Sequence, residues 1–517
     1  MAADPAPTDD PLPTDVPTLH AMVRTLRGEL AATRAELAAT RAELAEVRGK
    51  LDRLLAVTFR RSERVKRPRT PPPDADRPPR PRHRHGRAPL PDHLERVTAT
   101  HDLTAEQRLC PCCGHERVRI GEQSAEQLDC DPTRYFVRRT VRVSYACRRC
   151  HPNAVPADER IATAGPSTVG PIPKGLCGPG LLAYTLTAKY ADHLPLHRLA
   201  GVIARSGVRV STSTLGDWVR QSAGLLTPLC QWMHRRVLTA PVLWTDDTRV
   251  SVRVPGRKTT ATGHLWVTAG DASAPYTTFH FTRSYAAAAG PDQFLAGYRG
   301  FVHADCLAQY DNVFTAGGRH MACWAHARRK LLDAGEPAAP VVALVGRLYR
   351  IERDLPPPDT PEHVARRAEV RRTHAAPILS ELHARLTAAS PTALPKSPLG
   401  EATRYVLSRW DAFTRYTTDG RLSLDNNLAE RTLRAVAVGR GNWTFVGSAD
   451  AGQWAATHYT LVGTCRHLGV DPFAYLRDVL PKLHALGDHP TDEHLTPLLP
   501  DRWLVERAGD TSAESAA

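Results

Sequence analysis

No run in these 517 residues approaches the roughly 18–20 consecutive apolar residues needed to cross a bilayer. The opening stretch, "MAADPAPTDDPLPTD", lacks the basic start and apolar core of a signal peptide and is acidic and Pro-rich instead. The 11 Cys are odd in number, and four of them stand in CxxC spacing, which suits metal binding in a reducing compartment better than a disulfide framework. A cytoplasmic protein with no membrane partner is the expectation. Lys is scarce beside Arg, yet the net charge is +14, which points to a polyanionic partner with nucleic acid first in line. Hydrophobic content of 42% supports a packed core, and the length allows two to four domains at roughly 100–200 residues each.

Residues 1–18 are expected to be disordered. Over 19–57 the sequence repeats "AATRAEL", "AATRAEL", "AEVRGKL". Leu30, Leu37, Leu44 and Leu51 recur every seven residues, with Leu26, Thr33, Thr40, Val47 and Leu54 as a second seam, the heptad pattern of a coiled coil. Glu29, Glu36 and Glu43 are placed to meet Arg34, Arg41 and Arg48 of a parallel partner, so a homo-oligomer is expected. Residues 58–100 form a basic, Pro-rich linker whose composition forbids both helix and core.

Residues 101–155 read as a zinc ribbon. Cys110 and Cys113 in "CPCCGH", with Cys147 and Cys150 in "CRRCH", each present two thiolates at the spacing of one edge of a tetrahedral zinc site. The run before the second pair, "RRTVRVSYAC", alternates as a strand does, and its Arg138, Arg139 and Arg142 tilt the module towards DNA. Residues 170–236 read as helices; 198–221 fit a helix-turn-helix and equally an ordinary helical hairpin. From 237 to 485 short β-rich runs, "VLWTDD", "TRVSVRV", "HLWVTA", "YTTFHF" and "GFVHAD", precede helices, giving an α/β or α+β domain whose sheet is expected to be mainly antiparallel. A helical, Pro-interrupted insertion occupies about 339–398. Residues 486–517 are a C-terminal tail, expected to be disordered from 507.

Three acids stand out by position. Asp246 and Asp305 each end an apolar run, where a carboxylate is costly. Glu430 lies in "LSLDNNLAERTLRAVAVGRGNW". A local reading makes Asn427 an N-cap and Glu430 the third helical residue reaching back to it. On an ideal helix Asn426, Asn427, Glu430 and Arg434 also share a face. Three convergent acids of this kind can bind two Mg²⁺ (or Mn²⁺) ions beside a phosphodiester. Cys323 and His326 have no second pair near them in sequence and read as a core thiol and a hydrogen-bonded His. Asp425 reads as a cap.

The stretch "DNNLAERTLRAVAVGRGNWTFVGS" resembles the signature of transposases of the insertion-sequence-66 family. So do "TDDTRVSV", "HADCLAQYD", "CWAHARRKL", "AKYADHLPLHRL" and "DPFAYLRDVL", in the same order along the chain. The resemblance implies a DDE transposase with a ribonuclease-H-like core, a mixed sheet flanked by helices and interrupted by a helical insertion. By motif, Asp246, Asp305 and Glu430 are the catalytic acids that hold two Mg²⁺, and structural Zn²⁺ sits in the ribbon. Arg328, Arg329, Lys330, Arg431, Arg434 and Arg440 are the implied DNA contacts. The partners implied are double-stranded element ends and target DNA, together with small accessory proteins of the same element. The chain departs from the family pattern at Asp247 (usually Glu), at Cys306 and Leu307 (usually Gly and Tyr) and at Gly441 (usually Lys). A catalytically inactive DNA-binding dimer and a metal-dependent nuclease without strand transfer share the same residues.

Overall fold

The computed structural model describes residues 15–58, 90–92, 94–131, 134–147, 161–165, 170–173 and 175–514. The expectations for residues 1–14, for most of the linker, for Cys150 and for the last three residues lie outside this set. The chain divides into two units, residues 1–87 and 88–517.

In the first unit Val16–Thr58 is a single helix that takes in every heptad. Leu26, Leu30 and Leu37 are exposed along it. A 43-residue helix with an apolar stripe open to water is stable only if something covers the stripe.

The second unit opens with a sheet built around β3 (Arg134–Ala146). It pairs in parallel with β1 (Arg96–His101) and antiparallel with β2 (Val118–Asp131) and β4 (Ile161–Thr163). Val137, Val141, Val143 and Tyr145 alternate inward and are buried, as the sequence pattern requires. The sheet is fastened to the helix Pro179–Tyr190 by Asp129, whose carboxylate accepts from the Leu181 N–H at 2.9 Å.

Residues 198–221 take in two helices joined by a turn. The first helix is Leu196–Ala204, and Ser211 caps the second, Thr212–Val237, by accepting from the Thr214 N–H. The second helix buries Leu215, Trp218, Val219, Leu226, Leu229, Met233 and Val237, so it is a core element along most of its length.

The central sheet contains β5 (Val242–Val252), β6 (Ala261–Gly270), β7 (Thr277–Thr282), β8 (Phe301–Ala304) and β9 (Arg319–Ala322), in the order β7-β6-β5-β8-β9. The first three strands are antiparallel, whereas β8 lies parallel to β5 and β9 parallel to β8. The sheet is therefore mixed, not mainly antiparallel. "VLWTDD" and "TRVSVRV" are one continuous strand, and the short β9, "RHMA", has too few residues to show a period. The exposed edge of β7 is closed by the helix Ala449–Leu468. There Thr464 and Thr460 hydroxyls accept from the Thr277 and Phe279 N–H groups at 3.0 and 2.9 Å, which satisfies donors that would otherwise invite another strand.

Helices fill the chain between β9 and residue 424: Trp324–Asp333, Ala339–Arg353, Pro361–Val370, Ala376–Ala389 and Pro398–Leu407, then the short Trp410–Thr414. The insertion thus continues past 398. "SPTALPKSP" is a turn, and Ser397 restarts the helix by accepting from the Gly400 N–H. The chain then returns to the sheet as the helix Asn427–Trp443. At the C-terminus the helix Pro500–Glu514 takes in residues 507–514, expected from sequence to be unstructured; Leu498, Leu499 and Trp503 anchor its start.

Candidate active site

Strand pairing brings the first two acids together. Trp244 on β5 pairs with His303 on β8, and their rings stack at 5.0 Å. Side chains alternate along a strand, so Asp246 and Asp305, two residues further on in each chain segment, leave the sheet on the same face, one strand apart. Asp247 is directed the other way. It is held by His264 Nδ1 at 2.9 Å and by the Tyr285 hydroxyl, which donates at 3.2 Å. Of the two adjacent Asp residues, Asp246 is the one that faces Asp305.

The third acid is delivered by a hydrogen bond. Asn426 is fully buried, and its Nδ2 donates to the Thr245 carbonyl at 2.8 Å, docking the helix Asn427–Trp443 onto β5 next to Asp246. Asn426, not Asn427, occupies the N-cap position, so Glu430 sits one residue too late for the local capping reading. Asp425 does cap, accepting from the Asn427 N–H at 3.2 Å. Glu430 Oε1 instead lies 3.5 Å from His326 Nδ1 and 4.0 Å from Cys323 Sγ.

Burial raises the Asp246 carboxyl to about 7; the Asp247 N–H partly opposes this, and the charges of Asp247, Glu430 and Asp305 add to it. The charges of Asp247, Glu430 and Asp305 are thus all felt at Asp246, behind the larger effect of burial. Asp305 Oδ1 accepts from the Cys306 N–H at 2.7 Å and from the Tyr405 hydroxyl. Tyr405 comes from the helix Pro398–Leu407, and burial, with Cys306 and Asp305 beside it, pushes its own pKa well above the ordinary tyrosine value, so it remains a donor. The insertion therefore contributes directly to the site.

The donor set fits hard divalent cations. It offers three carboxylates, all oxygen donors, one of which burial pushes up to about 7. The Cys110–Cys147 module fits zinc. Cys110, Cys113 and Cys147 sulfurs all lie within 4.8 Å of one another, and Cys113 and Cys147 are 3.6 Å apart, near the edge of about 3.8 Å of a tetrahedron with 2.3 Å Zn–S bonds. Gly114, at φ 68°, makes the turn that carries the first pair, its N–H donating to the Cys110 carbonyl at 2.8 Å.

The basic residues separate into two groups. Arg138 donates to buried Asp129 at 3.1 Å, and Arg142 donates to the Ala164 and Gly165 carbonyls, so both are engaged in holding the ribbon sheet. Arg139 is exposed. Arg328, Arg329, Lys330, Arg431, Arg434 and Arg440 are also exposed, on the two helices that border Glu430. Arg440 donates to Thr248 Oγ1 and to the Arg249 carbonyl, each at 2.8 Å, tying the far end of its helix to β5. Lys330 Nζ lies 4.9 Å from the centre of the Tyr405 ring.

Sequence reasoning missed Tyr405, for which no motif exists, and the grouping of Cys323 and His326 with Glu430. In the latter case the CxxH spacing was visible, but the third donor comes from 107 residues away.

Residues 174–454 match the Transposase IS66 family, residues 107–151 the zinc-finger binding domain of transposase IS66, and residues 460–500 the IS66 C-terminal element. The uncharacterized protein y4jD of Sinorhizobium fredii (strain NBRC 101917 / NGR234) is 31% identical over 443 residues, covering 82% of this chain and 83% of its own. The uncharacterized protein y4hP of the same strain is 33% identical over 450 residues, covering 82% and 78%. With the zinc-finger segment, the 174–454 segment and the C-terminal element all matched in that order, the chain belongs to the IS66 family of transposases.

Proposed function

We propose that this protein is the transposase of an insertion sequence, which binds the element's ends, cleaves their 3′ strands and joins them to target DNA. The β7-β6-β5-β8-β9 sheet is then a ribonuclease-H-like core interrupted by the helical insertion. The single observation that carries the reading is geometric: Asp246 and Asp305 each follow the paired Trp244 and His303 by two residues, and the Asn426–Thr245 hydrogen bond docks the Glu430 helix on the same strand. Such an arrangement is costly in a protein with no cation to bind.

Asp246, Asp305 and Glu430 would hold two Mg²⁺ or Mn²⁺ ions, which supply Lewis-acid stabilisation of the attacking and leaving oxygens of an in-line displacement. The Tyr405 hydroxyl and the Cys306 N–H fix one Asp305 oxygen and leave the other for a ligand. Asn426 holds the Glu430 helix in register with β5. Arg328, Arg329, Lys330, Arg431 and Arg434 provide exposed positive charge around the acids for the phosphate backbone. Arg139 offers the same on the ribbon, whose structural Zn²⁺ would sit on Cys110, Cys113, Cys147 and Cys150. DNA in the cytoplasm is the substrate, and self-association through the N-terminal helix brings two ends together.

The test is incubation of the full chain with labelled element ends and Mg²⁺, scoring nicks and joined products. The expected result is both products in Mg²⁺, neither in EDTA, and loss of both in Asp246→Asn, Asp305→Asn and Glu430→Gln with DNA binding retained. Nicks without joining indicate a nuclease. DNA binding without nicks indicates an inactive descendant.

A further inference from the structure

The acids account for one side of Glu430; its other side faces two soft donors. Cys323 precedes the helix Trp324–Asp333 as its N-cap residue, and His326 lies one turn on, so the CxxH spacing turns both side chains to the same side. Docking of the Asn427–Trp443 helix adds Glu430. One donor atom from each of the three residues lies within 4.8 Å of the others. Glu430 Oε1 is 3.5 Å from His326 Nδ1 and 4.0 Å from Cys323 Sγ. In a tetrahedral zinc site the corresponding N···O and S···O edges are about 3.3 and 3.5 Å, so side-chain adjustments of roughly half an ångström suffice.

Two further observations point to a ligand here. His326 Nδ1 is buried and makes no hydrogen bond. An orphan nitrogen aimed at a carboxylate oxygen is the arrangement a shared cation resolves. The Cys323 sulfur is fully buried, which pushes its thiol up to about 12, and it accepts from the Asn426 N–H at 3.3 Å, which partly opposes that rise.

We propose that Cys323, His326 and Glu430 form a binding site for a thiophilic divalent cation of the zinc class, separate from the ribbon and sharing Glu430 with the acid trio. Binding forms bonds to Sγ, to Nδ1 and to Oε1, releases the thiol proton to solvent and leaves a fourth position open. His326 then carries its proton on Nε2. Because Oε1 is turned to this site, a cation here competes with hard ions for Glu430, making the site a point of metal inhibition. The inhibitory consequence rests on the proposed function; the binding site does not.

The experiment is a titration of the metal-stripped full chain with Co²⁺, followed by thiolate charge-transfer and visible absorption. Wild type is expected to take up two equivalents that give thiolate charge-transfer, one at the Cys110–Cys147 module and one here; Co²⁺ held by carboxylates alone gives none. Cys323→Ser and His326→Gln are each expected to take up one. The Cys110→Ser/Cys113→Ser double variant is expected to keep one, with the weaker charge-transfer band of a single thiolate. His326 is partly exposed, so its variant reports even if the buried Cys323→Ser substitution impairs folding. Saturation of wild type at one equivalent, or two equivalents retained in His326→Gln, overturns the proposal. Two equivalents in a chain that cuts no DNA would leave this site standing and remove the proposed function. One equivalent in a chain that cuts would do the reverse.

Discussion

Asp246 carries the largest electrostatic cost in the site, and that cost is measurable. Its folded value of about 7 lies above the ordinary 3.8, so the metal-free native state keeps a proton that the unfolded chain has lost. Where the native state binds more protons, stability falls as pH rises. The penalty is absent below about pH 4, accumulates as pH climbs towards 7 and is complete above it, on the order of 2–4 kcal/mol. Metal-free Asp246→Asn should therefore melt above wild type at pH 8, with the gap closing as pH is lowered towards 4. Added Mg²⁺ should raise wild type more than the variant. A gap that does not change with pH in thermal melts would mean that Asp246 is not held in this environment. The pair Asp246-Asp247 could not be resolved by spacing, since both lie in one motif. Strand alternation and the His264–Tyr285 clasp on Asp247 separate them.

At the scale of elements, the insertion does more than interrupt the core. Arg371, fully buried, donates to both Glu352 oxygens at 2.8 and 2.7 Å, and to the Tyr416 and Leu422 carbonyls at 2.9 Å each. Arg367 adds a 2.7 Å bond to the Gly420 carbonyl. Together they clamp the segment that leads into Asn426 and hence fix where the Glu430 helix begins. Arg371→Ala removes a fully buried guanidinium, leaves partly buried Glu352 with Arg367 as its remaining partner, and should cost about 3–5 kcal/mol. In denaturant melts a loss under about 1 kcal/mol, the scale of a surface pair, would rule out the clamp. The clamp also marks the limit of sequence reading. The strands of the core were visible because apolar runs end in turn residues, and the acids because each ends such a run or sits in a helical motif. The Asn426–Thr245 bond spans 181 residues and the Tyr405–Asp305 bond 100, and neither leaves a local pattern. Residues past 398 were misjudged because Pro-rich "SPTALPKSP" reads as an end, when Ser397 and a Pro at the first helical turn make it a beginning.

For the whole molecule, net charge of +14 suits a DNA partner, and the exposed Leu26, Leu30 and Leu37 of the N-terminal helix are the surface on which the proposed self-association would rest. A parallel pair of such helices covers both apolar seams. Leu37→Asp with Leu44→Asp should lower the sedimentation coefficient to that of a monomer while leaving the fold of residues 88–517 unchanged by circular dichroism. An unaltered coefficient would assign the stripe to another partner. The heptads were legible because a seven-residue period survives without tertiary context.

The central claim is that Asp246, Asp305 and Glu430 jointly hold the ions that act on DNA. Anomalous diffraction from crystals of the full chain with an element-end duplex and Mn²⁺ tests it most directly. The account predicts manganese peaks bounded by these three carboxylates and next to a phosphate of the duplex. Manganese bound elsewhere, with the three carboxylates contacting only protein and water, would contradict it.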